Sequence, residues 1–429
     1  MKLPAALALF AGAAAAHAQT RYLFLDRTTN AQAVYAVEDL DASNTITEPG
    51  ELFTYFNNSG GISPPMTTLS ALAVRASDAT VAVADSSSTV RGVFFLRDFN
   101  RNNSAMDVGE SWLAVGVGNA SGITFNAPLG LAFDSAGNLY LSNSGASGTQ
   151  DAVYKLTDLD GDGRFMSAGE ITEYVGAPFY GPGNGSYVPA AIALDLSVTP
   201  FVGYVKDSGA STAGVYRFTD SNANGRADDP GETTTFINAS NASGVAIASG
   251  GLTLCPDAAR PSAVYFTQIS GGARQLIRAQ DLNANGNAMD AGEAAVVWST
   301  SETLLLIDVL SLPDGRVMLS DGSTGNKRII LLTDANGDGL FDNATERTTF
   351  YSAIAPGGVR QLAIIPRYCQ ANCDQSTTPP ALNVLDFSCF LNKFAAGDLY
   401  ANCDSSTTPP VLNVLDFACF LNKFAAGCT

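Results

Sequence analysis

One pattern of oxygen-bearing side chains recurs six times along this chain of 429 residues. Its clearest copy has carboxylates at Asp158, Asp160 and Asp162, a glycine at Gly163 and a glutamate at Glu170. Counting Asp158 as position 1, oxygen ligands stand at positions 1, 3, 5 and 13. A hard cation such as calcium prefers several oxygen ligands, and the glycine at position 6 tolerates the left-handed backbone of a sharp turn. The pattern therefore predicts a calcium-binding loop.

The other five copies keep the same register, with the glutamate one position later than in an EF-hand loop. Their residues at positions 1, 3, 5 and 13 are Asp39, Asp41, Ser43 and Glu51; Asp98, Asn100, Asn102 and Glu110; Asp220, Asn222, Asn224 and Glu232; Asp281, Asn283, Asn285 and Glu293; and Asp334, Asn336, Asp338 and Glu346. We number these acidic loops first (39–51), second (98–110), third (158–170), fourth (220–232), fifth (281–293) and sixth (334–346). Position 6 is always asparagine or glycine, the types that enter the left-handed region most easily. Because the third loop has the most carboxylates, we expect it to bind calcium most tightly and the first loop to be among the weakest.

The charge balance agrees with cation binding. The formal net charge is −18 although only 15% of residues are charged, and much of the acidic excess lies in the six loops. A solvated acidic surface would give the same balance, but six copies in one register favour an ion. The sequence has no basic patch, so nucleic acid is not an expected partner.

The first eighteen residues predict a secretory signal peptide. Lys2 precedes an apolar run, and Ala16-His17-Ala18 has the small-x-small form of a cleavage site. No later apolar run is long enough to span a bilayer, so we expect a secreted or cell-surface-associated protein without a transmembrane segment. His17 is the only histidine. The mature chain would therefore lack a Ser-His-Asp triad, a Cys-His pair and any histidine zinc site.

The residues between the loops predict short β-strands. In the clearest unit, alternating apolar residues and Gly/Asn turns predict strands at 129–134, 138–143, 151–157 and 170–175. Four-stranded units that repeat about every sixty residues predict a six-bladed β-propeller over residues 19–367. The first unit lacks its first strand, which residues 359–365 would supply from beyond the sixth loop. All six acidic loops then connect third and fourth strands, so we expect them to ring one rim.

A family resemblance supports this fold. The stretches LGLAFD (129–134) and GNLYLSN (137–143) resemble the NHL repeat of six-bladed propellers, and VAD (83–85) and LSD (319–321) resemble its second strand. The resemblance implies little about function, because such propellers include lyases, lactonases, dehydrogenases and pure binders. The repeated calcium loop departs from the ordinary NHL pattern.

The longest connection on the opposite face, between 176 and 189, carries Phe179, Tyr180 and Tyr187 among glycines and prolines. Exposed aromatic rings there would stack on sugar rings. The alternative is that these rings pack beneath the loop.

The C-terminal residues form a second repeat. Cys373 to Gly397 is nearly repeated as Cys403 to Gly427, each copy predicting a loop and then a helix, the first from Asn383 to about Ala396. This tandem resembles a dockerin of the cysteine-bearing kind that ends in Gly-Cys. The resemblance implies an anchoring module, here called the C-terminal module (368–429), that docks to a cohesin-like or cell-surface partner. Its loops depart from the dockerin ligand pattern, and calcium binding there is left open.

Six of the seven cysteines lie in the C-terminal module, where an exported protein would form disulfides. Repeat equivalence selects three pairs: Cys373–Cys389, Cys403–Cys419 and Cys369–Cys428. Cys255 is left over and is expected to be a buried, inert thiol.

Two functions compete. The first is a non-catalytic secreted propeller that calcium stiffens at one rim, that binds a glycan or a protein on the other face, and that the C-terminal module anchors. The alternative is an extracellular calcium-dependent hydrolase, a lactonase or another carbohydrate-active enzyme that uses channel carboxylates. Asp195 and Asp308, on innermost strands, are the catalytic candidates, although either could be a satisfied structural carboxylate. We favour the binder; three or more convergent carboxylates or amides in the channel would favour the enzyme.

Overall fold

The structure is a computed structural model. It describes residues 20–28, 31–145, 151–176, 187–249, 251, 253–323, 327–352, 358–366, 370–374, 376, 380, 382–404, 406 and 409–427. The predicted signal peptide (1–18), Phe179, Tyr180 and the proposed Cys369–Cys428 pair lie outside the described residues.

Within the described ranges the chain from 20 to 366 forms 24 strands. In chain order they are β1 (Arg21–Thr28), β2 (Ala31–Glu38), β3 (Leu52–Asn57), β4 (Leu69–Arg75), β5 (Thr80–Asp85), β6 (Gly92–Leu96), β7 (Ser111–Val115), β8 (Ala127–Phe133), β9 (Leu139–Ser144), β10 (Ala152–Leu156), β11 (Ile171–Val175), β12 (Pro189–Asp195), β13 (Val202–Asp207), β14 (Gly214–Phe218), β15 (Thr233–Asn238), β16 (Leu254–Pro256), β17 (Ala263–Ser270), β18 (Ala273–Gln280), β19 (Ala294–Thr300), β20 (Leu306–Ser311), β21 (Val317–Asp321), β22 (Arg328–Leu332), β23 (Arg347–Ser352) and β24 (Val359–Ile365).

These strands form six antiparallel sheets of four strands each. Blade 1 is β24-β1-β2-β3, and blades 2 to 6 take β4–β7, β8–β11, β12–β15, β16–β19 and β20–β23. The innermost strands β4, β8, β12, β16, β20 and β24 contact one another in turn around a closed ring. The prediction of a six-bladed propeller is confirmed.

Blade 1 closes the ring by combining the two ends of the propeller. Strand β24 pairs with β1, with Arg21 opposite Ile365 and Phe24 opposite Leu362. This is the closure that the missing first strand predicted. It removes the open sheet edge that an unclosed first blade would present.

The apolar cores lie between neighbouring blades. Strand β5 is buried along its whole length, because both faces of its sheet are covered by other blades. Between blades 2 and 3, the ring of Phe95 packs edge-to-face on Phe165 at 5.6 Å between centroids. Between blades 3 and 4, Tyr174 packs on Phe218 at 6.0 Å. Burial of each such side chain contributes roughly 1.5–3 kcal/mol, so the blades stabilise one another.

The C-terminal module contains two helices of equal length, α1 (Val384–Ala396) and α2 (Val414–Ala426). Each begins after an asparagine N-cap in a capping box, Asn383 with Asp386 and Asn413 with Asp416. The rings of Phe390 and Phe420 stack across the repeat at 4.2 Å. The helix predictions are therefore confirmed.

Two of the three predicted cysteine pairs fall within the described residues. Cys373 joins Cys389 and Cys403 joins Cys419, as the repeat predicted. None of the helices in the described ranges is long and apolar enough to cross a membrane.

Candidate metal centres

All six acidic loops connect the third and fourth strands of their blades, so they lie at the same end of the propeller. The sequence predicted this common rim from strand counting. The loop backbones also agree with each other in detail, and their shared hydrogen bonds show what each position does.

The aspartate at position 1 organises the turn. Asp98 accepts the backbone N–H of Asn102 at 3.0 Å on one oxygen and that of Asn103 at 2.8 Å on the other. Position 6 is left-handed in all six loops, with φ between 60° and 89°, as its residue types predicted. Position 4 is also left-handed in all six, with φ between 58° and 78°, which the sequence reasoning missed. The double turn folds the loop so that positions 1, 3 and 5 face the same side.

The glutamate at position 13 closes each loop from within. Glu170 accepts the N–H of Leu159 at 3.0 Å and that of Ser167 at 2.7 Å, which are positions 2 and 10. The five equivalent glutamates make the same two bonds. All six are buried, with at most 4% of their surface exposed. Each oxygen of Glu170 keeps a second lone pair, whereas one oxygen of Glu51, of Glu110 and of Glu232 already accepts two or more hydrogen bonds. The predicted calcium ligation by this position stays a prediction.

Each loop also fastens its blade to the preceding one. The backbone N–H at position 8 donates to a carbonyl on the fourth strand of the previous blade, as Phe165 does to Ala114 at 2.7 Å. The five equivalent bonds are 2.7 or 2.8 Å long, and the bond from Ile46 to Phe350 joins blade 1 to blade 6. Each acidic loop therefore connects two strands of its own blade and also forms a backbone hydrogen bond to the preceding blade.

In three loops the polar side chains form hydrogen bonds with one another. In the second loop, the side-chain amides of Asn100 and Asn102 both donate to Asp107 at position 10, each at 2.8 Å. The fourth and fifth loops repeat this with Asp229 and Asp290. The sequence reasoning missed position 10, although an aspartate stands there in each loop that has asparagine at both 3 and 5.

The third loop has carboxylates where those loops have amides. Oxygens of Asp158, Asp160 and Asp162 lie within 4.8 Å of one another, and all three side chains are exposed. Position 10 is Ser167, whose hydroxyl donates to Asp160 at 2.7 Å and lowers the pKa of that carboxyl. One hydroxyl cannot neutralise three carboxylates. This oxygen-only donor set fits a hard divalent cation, which would bind at Asp158, Asp160 and Asp162.

The first loop is the second such cluster in the described part of the chain. Oxygens of Asp39, Asp41 and Glu51 converge within 4.8 Å. Burial raises the pKa of Asp39, whereas the hydroxyl of Ser43 lowers the pKa of Asp41. Although charge counting placed this loop among the weakest, its geometry also fits a divalent cation. In the sixth loop, the amide of Asn336 donates to Asp338 at 2.9 Å. This loop therefore lies between the loops whose amides bond to an aspartate and the third loop, which has only carboxylates at positions 1, 3 and 5.

Comparisons with known proteins add the fold and nothing finer. No protein-family profile matches the chain, and no curated protein sequence matches it. Solved structures with similar folds include TolB from Acinetobacter baumannii, at 12% identity and a TM-score of 0.48 over 81% of this chain and 67% of that one. A candidate 6-phosphogluconolactonase from Bacteroides fragilis has 12% identity and a TM-score of 0.48 over 82% and 99% of the two chains. Regucalcin, a calcium-binding protein from Agrobacterium tumefaciens, has 14% identity and a TM-score of 0.40 over 68% and 76%. At these similarities none of them indicates what this chain binds.

The central channel is narrow and largely apolar. It has a volume of about 330 Å³, and all six innermost strands line it, mostly with alanine, leucine, isoleucine and valine. Asp308 is the one carboxylate among the described lining residues; it accepts the N–H of Leu362 at 2.7 Å, and burial raises its pKa to about 7. Asp195 is not among the lining residues and instead accepts the N–H of Ser197 at 3.0 Å in the turn after β12. The structure does not bring the two candidates together. Cys255 also lines the channel, partly exposed, and burial raises the pKa of its thiol.

The opposite face has a ring of its own, which the sequence reasoning missed. A buried acceptor in the second strand of each blade receives an N–H from a residue at or ahead of the start of the innermost strand. These acceptors are Asp26, Asp85, Asn143, Asp207, Gln268 and Asp321. The aspartates of the VAD and LSD stretches belong to this ring, so they are structural. Tyr187 is half-buried. Burial raises the pKa of its hydroxyl, and the nearby carboxylate of Asp207 raises that pKa further.

Proposed function

We propose that this protein is a secreted, calcium-stiffened β-propeller that binds a glycan or a protein ligand and is anchored through its C-terminal module. The observation that carries the proposal is the double role of the acidic loops. The loops that gather carboxylates are the same loops that join neighbouring blades by backbone hydrogen bonds.

Calcium would act on that rim through charge. In the third loop, Asp158, Asp160 and Asp162 repel one another when all are ionised. A divalent cation bound among their oxygens removes this repulsion and holds the turn from which Phe165 reaches blade 2. Because the cation binds only the folded loop, it stabilises the ring by mass action.

The channel favours a binding protein over an enzyme. A hydrolase that used the channel would need several converging polar groups, whereas the described lining has one carboxylate, Asp308, and one carboxamide, Gln361, among mostly apolar side chains. The calcium-dependent hydrolase or lactonase remains the alternative because Asp308 does face the channel with a raised pKa.

The face opposite the acidic loops is the proposed ligand face. The sequence predicts that the connection with Phe179, Tyr180 and Tyr187 lies on this face, and aromatic rings suit stacking on sugar rings. A rigid ring of six blades would present that connection on a fixed support.

The C-terminal module would supply the anchor. Each helix begins with an exposed apolar pair, Val384 (73%) with Leu385 (60%) and Val414 (76%) with Leu415 (61%). Two equivalent apolar pairs on a small, disulfide-stapled unit suit docking to a cohesin-like or cell-surface partner. The cysteine pairs also support an oxidising, extracellular location.

A glycan array probed with the full-length protein in calcium tests the ligand proposal. We expect calcium-dependent binding to a defined set of glycans, and loss of that binding on replacing Tyr187 with alanine. A matched control is Tyr35→Ala, which alters a partly buried tyrosine of blade 1. Turnover of lactone or glycoside substrates that is lost in Asp308→Asn would instead support the enzyme.

A further inference from the structure

The second acidic loop has an unusual residue at position 4. Position 4 is left-handed in every loop, and five loops place a small residue there: Ala42, Gly161, Ala223, Ala284 and Gly337. The second loop has Arg101, with φ of 59°. The left-handed backbone costs the same for arginine as for the alanines of three other loops, because the penalty comes from the Cβ atom. The second loop is therefore distinguished by the reach and the charge of the arginine side chain.

Arg101 contacts the C-terminal module. Its guanidinium lies over the ring of Tyr400, 4.8 Å from the centroid, and donates to the backbone carbonyl of Asn372 at 2.8 Å. Tyr400 is buried, and Lys393 of helix α1 lies near the same ring at 5.1 Å. Lys393 in turn pairs with Asp398 at 2.8 Å. One arginine of the propeller therefore engages both the start of the module and its central turn.

A second contact reproduces an arrangement that other loops make internally. In the first and third loops, the leucine at position 2 lies beside the glycine at position 12, as Leu159 does beside Gly169. In the second loop, the residue nearest to Gly109 is Leu399 of the module, 3.6 Å from where a Cβ would stand. The loop's own position 2 is Phe99, which stacks on Trp112 instead. Leu399 thus occupies the place that a loop leucine fills elsewhere.

We propose that the second acidic loop is a built-in seat for the C-terminal module, specialised by Arg101 and completed by Leu399 and Tyr400. The module is then held against blade 2 in one orientation and does not swing on a linker. If the proposed anchoring function holds, the propeller is presented to its ligand at a fixed angle to the anchored surface. The docking itself does not depend on that function.

The seat is independent of calcium. In this loop the amides of Asn100 and Asn102 are already held by Asp107, so the backbone that carries Arg101 needs no ion. Chelation should therefore leave the module docked even where it loosens the third loop. This separates the docking from the calcium proposal, since each can fail while the other stands.

Hydrogen exchange and small-angle X-ray scattering on the full-length protein test the seat. Arg101→Ala puts into the second loop the residue that three other loops have at position 4, so the propeller should fold normally. We expect exchange in 398–402 to rise about tenfold on losing the cation–π contact and the charged hydrogen bond, and the scattering envelope to lengthen. Leu399→Ser should act in the same direction with the propeller unchanged.

Arg226→Ala in the fourth loop is the matched control, because Arg226 pairs with Asp228 of its own loop. It should change neither measurement. Exchange and scattering that are the same in Arg101→Ala as in the native protein would overturn the proposal, as would an extended envelope in the native protein. Release of the module by chelator alone would show that the seat requires calcium and would refute its independence.

Discussion

The second and third acidic loops share one backbone conformation, but their polar side chains have different hydrogen-bond partners. In the second loop, two asparagine amides donate to Asp107, so the side chains at positions 3, 5 and 10 satisfy one another by hydrogen bonds. In the third loop, three aspartates converge and receive one serine hydroxyl. Because the fastening bond to the previous blade is present in both, at 2.8 and 2.7 Å, the fold tolerates either solution. On the proposed function, a cation in the third loop and a pair of carboxamides in the second would close the same turn in different ways.

The comparison predicts that calcium stabilises the protein through part of the rim only. Removing calcium with a chelator should lower the melting temperature, because the clusters of the first and third loops are left repelling. A single site at a hundred times its dissociation constant contributes about 2.7 kcal/mol, so losing two sites should cost more than any single substitution in the loops. Differential scanning calorimetry with and without chelator measures the loss.

Calcium added back in excess should restore the melt. If the melting temperature is unchanged in chelator and elemental analysis finds no metal, the proposal that calcium stabilises the acidic loops is wrong.

Asp160→Ala should abolish most of the calcium-dependent stability that the third loop contributes. It removes one of three converging carboxylates, so we expect a loss of about one bound calcium and up to about 2.7 kcal/mol of calcium-dependent stability. Asp41→Ala, the equivalent change in the first loop, should reduce bound calcium less, because Ser43 replaces a carboxylate there. Isothermal titration calorimetry of both variants decides the order. A larger loss in Asp41→Ala would show that convergence with Glu51 matters more than charge count.

Asp107→Ala tests whether the second loop is stabilised by its side-chain hydrogen bonds and not by calcium. It deletes the acceptor of two side-chain amides and should destabilise the protein by about 1–3 kcal/mol while leaving bound calcium unchanged. Denaturant unfolding in chelator measures the stability, and elemental analysis measures the metal. Ser167→Ala, at the same position of the third loop, is the matched control and should cost less. A loss of one calcium in Asp107→Ala would mean that the second loop is also an ion site.

The sequence predicted the repeats well because they depend on local signals. Strand alternation, the glycine or asparagine at position 6 and the helix that begins at Asn383 each depend on signals within a few residues, and the structure agrees with them. The closure by β24 was also accessible, because the first unit visibly lacked a strand.

What the sequence could not give are contacts between distant residues. The bond from Ile46 to Phe350 and the contact of Arg101 with Tyr400 join positions that no local pattern relates. The aspartate at position 10 was visible in the sequence, but only the geometry shows that it accepts the amides of positions 3 and 5. The two catalytic candidates show the same limit, because strand assignment alone could not show that Asp195 lies outside the channel lining.

A third way to neutralise a carboxylate appears in the channel, and it gives the smallest expected effect. Asp308 has neither a cation cluster nor an amide pair, and burial raises its pKa to about 7, so the folded protein holds a proton there. Stability from this group is then fully present below the unfolded pKa near 4 and is lost as pH rises through about 7. Asp308→Asn keeps an acceptor for the N–H of Leu362 and cannot ionise. At pH 8 the variant should be more stable than the native protein by about 1.4 kcal/mol, the equivalent of one pKa unit, and at pH 4 the two should be nearly equal. Urea unfolding of both proteins at the two pH values measures the difference. A difference that does not change with pH would mean that Asp308 is ionised in the folded channel, and would make a bound cation there the better account of its charge.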